Sequence, residues 1–171
     1  MTEKEYFREM KEAGIVGAVA HTAENGNYYK NLRAKNVIHC AGSEAKVDVP
    51  RIERGLKSGQ YSCIKIYLGY VHQYAYDKNY EPAYQLAEKY HVPVVFHTGD
   101  TDSKRAKLKY ADPLTVDEVA VDHPNVNFII CHLGSPWFGD CMEVVYKNKN
   151  VYTDISGLVL GNFTEIGRAH V

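Results

Sequence analysis

VPVVFHTGD (Val92–Asp100) and VNFIICHLGSP (Val126–Pro136) close in the same way: a short apolar run ends in a histidine, then one residue, then glycine. The histidines are His97 and His132, 35 residues apart (132 − 97). A buried strand that carries a histidine to its C-terminal tip, with a glycine that lets the chain turn away, is how α/β barrels present metal ligands and acid–base groups. Neutral imidazole is the commonest metal ligand and the natural proton carrier near neutral pH. The spacing of the two tips is that of successive strand–helix units of one sheet.

Outward from these two runs, others like them recur at Ile15–His21, Val37–Gly42, Cys63–Leu68 and Val151–Ser156. The six starts lie 22, 26, 29, 34 and 25 residues apart, which is βα spacing rather than that of a β meander. Helical patterns fall between them at Thr2–Ala13, Pro50–Leu56, Glu81–Tyr90 and Phe138–Lys147. Thr115-Val116-Asp117-Glu118 has the form of a capping box opening a further helix. Runs apolar on both faces imply a parallel sheet covered by helices. An open doubly wound sheet and part of an eight-stranded barrel both fit. The phosphate-binding glycine fingerprints of the open sheets are absent, and polar residues sit at several strand ends, which favours the barrel.

The 171 residues suffice for one domain with a real core. A net charge of −1 gives no electrostatic case for nucleic acid or an anionic membrane. No apolar run approaches a membrane span, and the charged start MTEKEYFREMKEAGI has no signal-peptide core, so a cytoplasmic protein is expected. Cys40, Cys63, Cys131 and Cys141 show no CxxC spacing, and buried reduced thiols are expected.

Strand alternation predicts which residues share a face. It groups Cys63, Lys65 and Tyr67; Val95 and His97; Phe128, Ile130 and His132; and Tyr152, Asp154 and Ser156. Asp154 is placed to orient a histidine or join proton transfer. Lys65, facing an interior, needs a partner: an ion pair first, otherwise a substrate or carbamylation. His21 closes the first run without a following glycine, so packing is as good a reading as function. His72, His91 and His123 are expected on the surface. Tyr67, Tyr70, Tyr74, Tyr76, Tyr80 and Tyr84 are read either as a substrate pocket or as loop and subunit packing. Lys104, Arg105, Lys107 and Lys109 read as a solvated basic turn that could also attract an anion.

From about Ile15 to Leu158, the ordered set YSCIKIYLGY, VPVVFHTGD, HPNVNFIICHLGSPW and NVYTDISGL resembles the amidohydrolase-related family, in its aminocarboxymuconate-semialdehyde decarboxylase-like branch. The resemblance implies α/β architecture: an incomplete (β/α)8 TIM barrel, about strands two to seven with their helices. It implies a divalent metal, zinc foremost, at the barrel mouth. His97, ending the family's fifth strand, matches a metal ligand. His132, ending the sixth, matches the histidine that activates metal-bound water or binds a second metal. Lys65, Tyr67 and Asp154 are the candidate substrate-binding residues.

The chain departs from the family pattern in having no HxH and no counterpart of the aspartate that ends strand eight; Asp154 lies on strand seven. A partial domain over residues 1–165 is expected, holding one or two metal ligands, binding zinc weakly and not turning over. Residues 166–171 read IGRAHV, the translation of the adapter-like stretch ATC-GGA-AGA-GCA-CAC-GTC, and are expected to be a non-native tail. The implied function is that of a metal-dependent hydrolase on a small molecule. The alternatives are a decarboxylase of the same family, a TatD-type deoxyribonuclease, which the charge disfavours, and a degenerate binding module. The expected partner is a small molecule, with at most a second copy of the chain.

Overall fold

The computed structural model describes residues 2–21, 30–101 and 103–158. Six strands, β1 (Ala18–His21), β2 (Val37–Ser43), β3 (Cys63–Tyr67), β4 (Val94–His97), β5 (Phe128–Ile130) and β6 (Val151–Thr153), form one sheet in sequence order. Every neighbouring pair is parallel. Parallel neighbours need a crossover, and from β2 onward an α-helix supplies each one. The helices are α2 (Val49–Lys57), α3 (Glu81–Tyr90), α4 (Leu114–Asp122) and α5 (Phe138–Lys147), with α1 (Glu3–Glu12) ahead of β1. The six strands take the places expected of strands two to seven: an arc of a (β/α)8 barrel. Among the described residues, no helix is long and apolar enough to cross a membrane.

Local sequence explains the helix ends. Thr2 and Glu5 close a reciprocal capping box on α1, and Asp48 caps α2. The expected box at Thr115 does not form. Asp112 accepts from the Leu114 N–H at 2.9 Å, and Thr115 lies inside α4, its hydroxyl donating to the Asp112 carbonyl. Asp112 already serves the first turn, so Thr115 is buried instead.

The main core lies between sheet and helices. Ile64, Ile66, Phe96, Phe128 and Ile130 have no exposed surface and meet Tyr84 and Leu86 of α3, Val116 of α4 and Val144 of α5. Phe96 and Phe128 stack at 5.9 Å between centroids, with Tyr84 edge-on to both. A second, smaller cluster of Cys40, Cys63, Val95 and Cys131 faces the concave side.

Two expectations fail here. Phe128 and Ile130 do not share a face with a functional His132: they sit in the helix-side core, while Ile129 and Cys131 join Val95 on the concave side. And Cys40 and Cys63 are not reduced thiols. They are register partners on β2 and β3, with Cα atoms 4.3 Å apart, and form a disulfide. Cys131 and Cys141 remain free and buried.

Candidate functional site

The C-terminal strand ends converge on a cleft of about 1120 Å³ whose lining includes His21, Lys65, Tyr67, Tyr70, His97 and His132. Strand register places the first of these. Lys65 lies beside Val95 and Tyr67 beside His97, so alternation along β3 and β4 puts both pairs on the concave face, as the sequence predicts.

His132 arrives differently. β5 stops at Ile130, and the chain enters a tight turn in which His132 and Leu133 are left-handed, at φ 62° and 49°. Gly134 continues the turn at φ 63°, and Ser135 returns its N–H to the His132 carbonyl. Asp154 fixes this turn from below. Its Oδ1 accepts from the main-chain N–H of His132 at 2.9 Å and of Ser156 at 3.0 Å, and from the Ser156 hydroxyl at 2.5 Å. Burial works to raise the Asp154 carboxyl, but these hydrogen bonds together outweigh it and hold the group below its ordinary value. Asp154 therefore holds His132 through the backbone and Ser156, and it is not among the residues that line the cleft.

The hydrogen bonds also decide where the ring protons are. His132 Nδ1 lies 2.7 Å from the Ser156 carbonyl oxygen and 3.0 Å from its Oγ. The Ser156 hydroxyl proton is committed to Asp154, so both oxygens present lone pairs and Nδ1 must carry hydrogen. For a neutral ring, His132 Nε2 is then an acceptor, and His97 Nδ1 donates to it across 3.3 Å. That leaves a bare lone pair on His97 Nε2, which is buried and has no hydrogen-bond partner among the described residues. Burial, then the Lys65 charge, then His132 depress His97 to about 3, so its ring is neutral at physiological pH. A neutral, buried, unpaired imidazole nitrogen fits a metal ligand. Among the described residues, no group of three or more His, Cys, Asp or Glu is placed to hold a metal ion.

Around this pair, Tyr70 leans on His97 with ring centroids 4.8 Å apart. Tyr67 is half-buried, and burial, then Cys131 and Glu44, raise its phenol. Lys65 Nζ donates to Cys131 Sγ at 2.9 Å and lies 5.7 Å from the Tyr67 ring centroid; no carboxylate pairs with it among the described residues. Among the described residues, the first-ranked expectation of an ion pair for Lys65 is not met. Its position is 2% exposed, and its neighbour is a thiol that burial pushes up to about 11.

Of the other histidines, His21 lines the cleft, and His72 and His91 are exposed as expected. His123 is not free on the surface: its Nε2 lies 3.3 Å from Glu81, and its ring packs on Tyr84. Tyr80 and Tyr84 are core residues, while Tyr74 and Tyr76 stack on the rim near Tyr110. Ser156 and Cys131 are the partners sequence reading underrates. Ser156 shares the face of Asp154, which is the one signal that could have found it. The expected tail at 166–171 lies outside the described residues.

A parallel arc of six strands, with one histidine at the end of β4 and another in the turn after β5, is part of an α/β barrel. The amidohydrolase family model matches residues 2–165, and the chain belongs to that family. No curated protein matches it. Among solved structures, an uncharacterized TIM-barrel protein from Bordetella bronchiseptica is similar with a TM-score of 0.72 and 18% identity, over 90% of this chain and 59% of that one. The 5-carboxyvanillate decarboxylase of Sphingomonas paucimobilis gives a TM-score of 0.61 and 12% identity, over 92% and 66%. A probable 2-pyrone-4,6-dicarboxylic acid hydrolase from Acinetobacter baumannii, solved with citric acid bound, gives 0.61 and 12%, over 91% and 60%. At these identities the likeness is one of fold. The chain spans about three-fifths of the length of the solved structures it matches.

Proposed function

We propose that the chain carries one side of the active centre of a metal-dependent hydrolase acting on a small molecule, with His97 as metal ligand and His132 as proton-transfer group. The observation that carries this reading is the directional chain from Ser156 through His132 to His97, ending in a bare, buried Nε2 beside the cleft. A divalent cation, zinc foremost, supplies Lewis acidity there when bound. His97 would hold it through Nε2. His132 would take a proton at Nε2 by giving up the hydrogen bond that this nitrogen accepts from His97 Nδ1–H, while its Nδ1–H stays on the Ser156 carbonyl, and the resulting cation would be stabilised by the Asp154 carboxylate across the Ser156 hydroxyl. Decarboxylation by the same groups is the second reading, favoured by the decarboxylase among the structurally similar proteins.

Calorimetric titration with zinc chloride tests the assignment. The chain is expected to bind one zinc, His97→Ala to lose more than about tenfold in affinity, and His132→Ala to lose less. Equal zinc binding by His97→Ala would remove the ligand from the proposal. No binding by any form would favour the degenerate binding module.

A further inference from the structure

Lys65 and Cys131 meet across the sheet. Lys65 stands on β3 and Cys131 in the turn after β5, with Nζ 2.9 Å from Sγ. N–H···O bonds span about 2.7–3.2 Å. Sulfur is the larger atom, so this approach is closer than a hydrogen bond to sulfur requires. Both residues are buried, and Lys65 also lines the cleft. The sulfur has little room to leave. The Cys131 carbonyl accepts from the Thr98 hydroxyl at 2.7 Å, and the next N–H, that of His132, is held by Asp154. Among the described residues no thiol competes for Cys131. Cys40 and Cys63 are bonded to each other, and Cys141 belongs to the helix-side core while Cys131 lies in the concave cluster. That concave cluster already holds oxidised sulfur, in the Cys40–Cys63 pair.

We propose that Lys65 and Cys131 are an oxidative modification site, in which a covalent Nζ–O–Sγ link joins β3 to the turn that carries His132. Dioxygen is the oxidant. The amine of Lys65, the thiol of Cys131 and one dioxygen give the link and one water. The O–O bond, the S–H bond and one N–H bond break, and the N–O and O–S bonds form. Both hydrogens leave in the water with the second oxygen. Nitrogen and sulfur each give up two electrons, and dioxygen takes all four. One oxygen between the two atoms nearly preserves their separation, whereas a direct N–S bond would pull them far inside it. Burial pushes the Cys131 thiol up to about 11, so bulky thiol reagents find it inert. The cleft beside Lys65 gives a small oxidant its way in. The link replaces a cation with a fixed, uncharged crosspiece and ties the residue before His132 to β3. Its effect on catalysis rests on the role proposed for His132; the bond itself does not.

Peptide mass spectrometry of the full chain tests the assignment, after aerobic incubation without reductant and again after excess dithiothreitol. The aerobic sample is expected to give a cross-linked pair containing Lys65 and Cys131, heavier than the two free peptides by one oxygen less two hydrogens. Dithiothreitol should return both peptides to their free masses, since thiols reverse the early rungs of cysteine oxidation. Cys131→Ser and Lys65→Met should each abolish the pair, and Cys141→Ser should leave it intact. The wild-type masses decide the matter without any variant. A link lacking the oxygen, a sulfenic or sulfinic Cys131 beside an unlinked Lys65, a disulfide at Cys131, or an unmodified Cys131 in the aerobic sample would each overturn the proposal. Zinc titration of the reduced chain reads His97 separately, so failure of the link and failure of the metal ligand give different results.

Discussion

At the scale of single residues, the site depends on His97 remaining neutral. Its free value is 6.5, and in the fold burial, Lys65 and His132 bring it to about 3. Above the free value neither state takes a proton, and the shift costs nothing. As pH falls from 6.5 towards 3, the unfolded chain binds a proton that the native state refuses, so stability falls with pH across that window. Between about pH 7 and pH 4 the loss traceable to His97 is on the order of 3 kcal/mol. Urea unfolding of the metal-free wild type and of His97→Gln should therefore diverge, with the glutamine variant losing less stability on acidification. Parallel pH profiles for the two would show that His97 protonates freely in the native state. Asp154 adds a second acid-sensitive contribution: its folded value is depressed, so what it contributes disappears as pH drops through that lower value. His97 itself was legible from the HTG tip. Its environment was not, because the Lys65 charge reaches it only through the register of β3 against β4.

At the scale of elements, alternation read β3 and β4 correctly and failed on β5. The period-two rule holds only while the chain is a strand, and β5 ends at Ile130, two residues before His132. What delivers His132 is a left-handed turn, and only Gly134 in that turn betrays a positive φ to a reader of sequence. The turn after β4 is coupled to it. Asp100 donates its N–H to the Ser135 carbonyl, and Gly99 donates to Ala111, with Gly99 at φ 78°. A Cβ on Gly99 would lie 2.0 Å from the Ser135 oxygen, a backbone atom that cannot rotate away. Gly99→Ala is expected to cost about 2–4 kcal/mol in urea unfolding, more than the usual penalty for an alanine at positive φ, because the two turns must separate. The same separation should shift the His132 ring signals in NMR spectra. A cost below about 0.5 kcal/mol, typical of a neutral surface change, would mean that the turns are not packed as described.

At the scale of the whole molecule, the helix-side core runs unbroken from Ala41 on β2 to Val151 on β6, so the arc should unfold as one cooperative unit. Strand spacing made the architecture readable, since runs apolar on both faces with helices between them have few other solutions. The Cys40–Cys63 bond was not readable, because a sequence separation of 23 matches no cysteine motif and only the parallel register brings the two positions together. That separation sets its effect on the unfolded chain. Closing a loop of this size removes conformational entropy worth about 3 kcal/mol in the chain-entropy model. The cross-link joins β2 to β3 across α2, so its loss frees one βα unit in the unfolded state while the native contacts of that unit stay in place. Reduction should therefore lower the urea midpoint by roughly 1–2 M, given a slope of about 2 kcal/mol per M for a domain of this size, and the transition should stay single. Thiol counting under denaturing conditions checks the premise: two reactive thiols, Cys131 and Cys141, before reduction and four after it. Four before reduction, with no midpoint change on adding reductant, would return Cys40 and Cys63 to the buried free thiols that the sequence suggested.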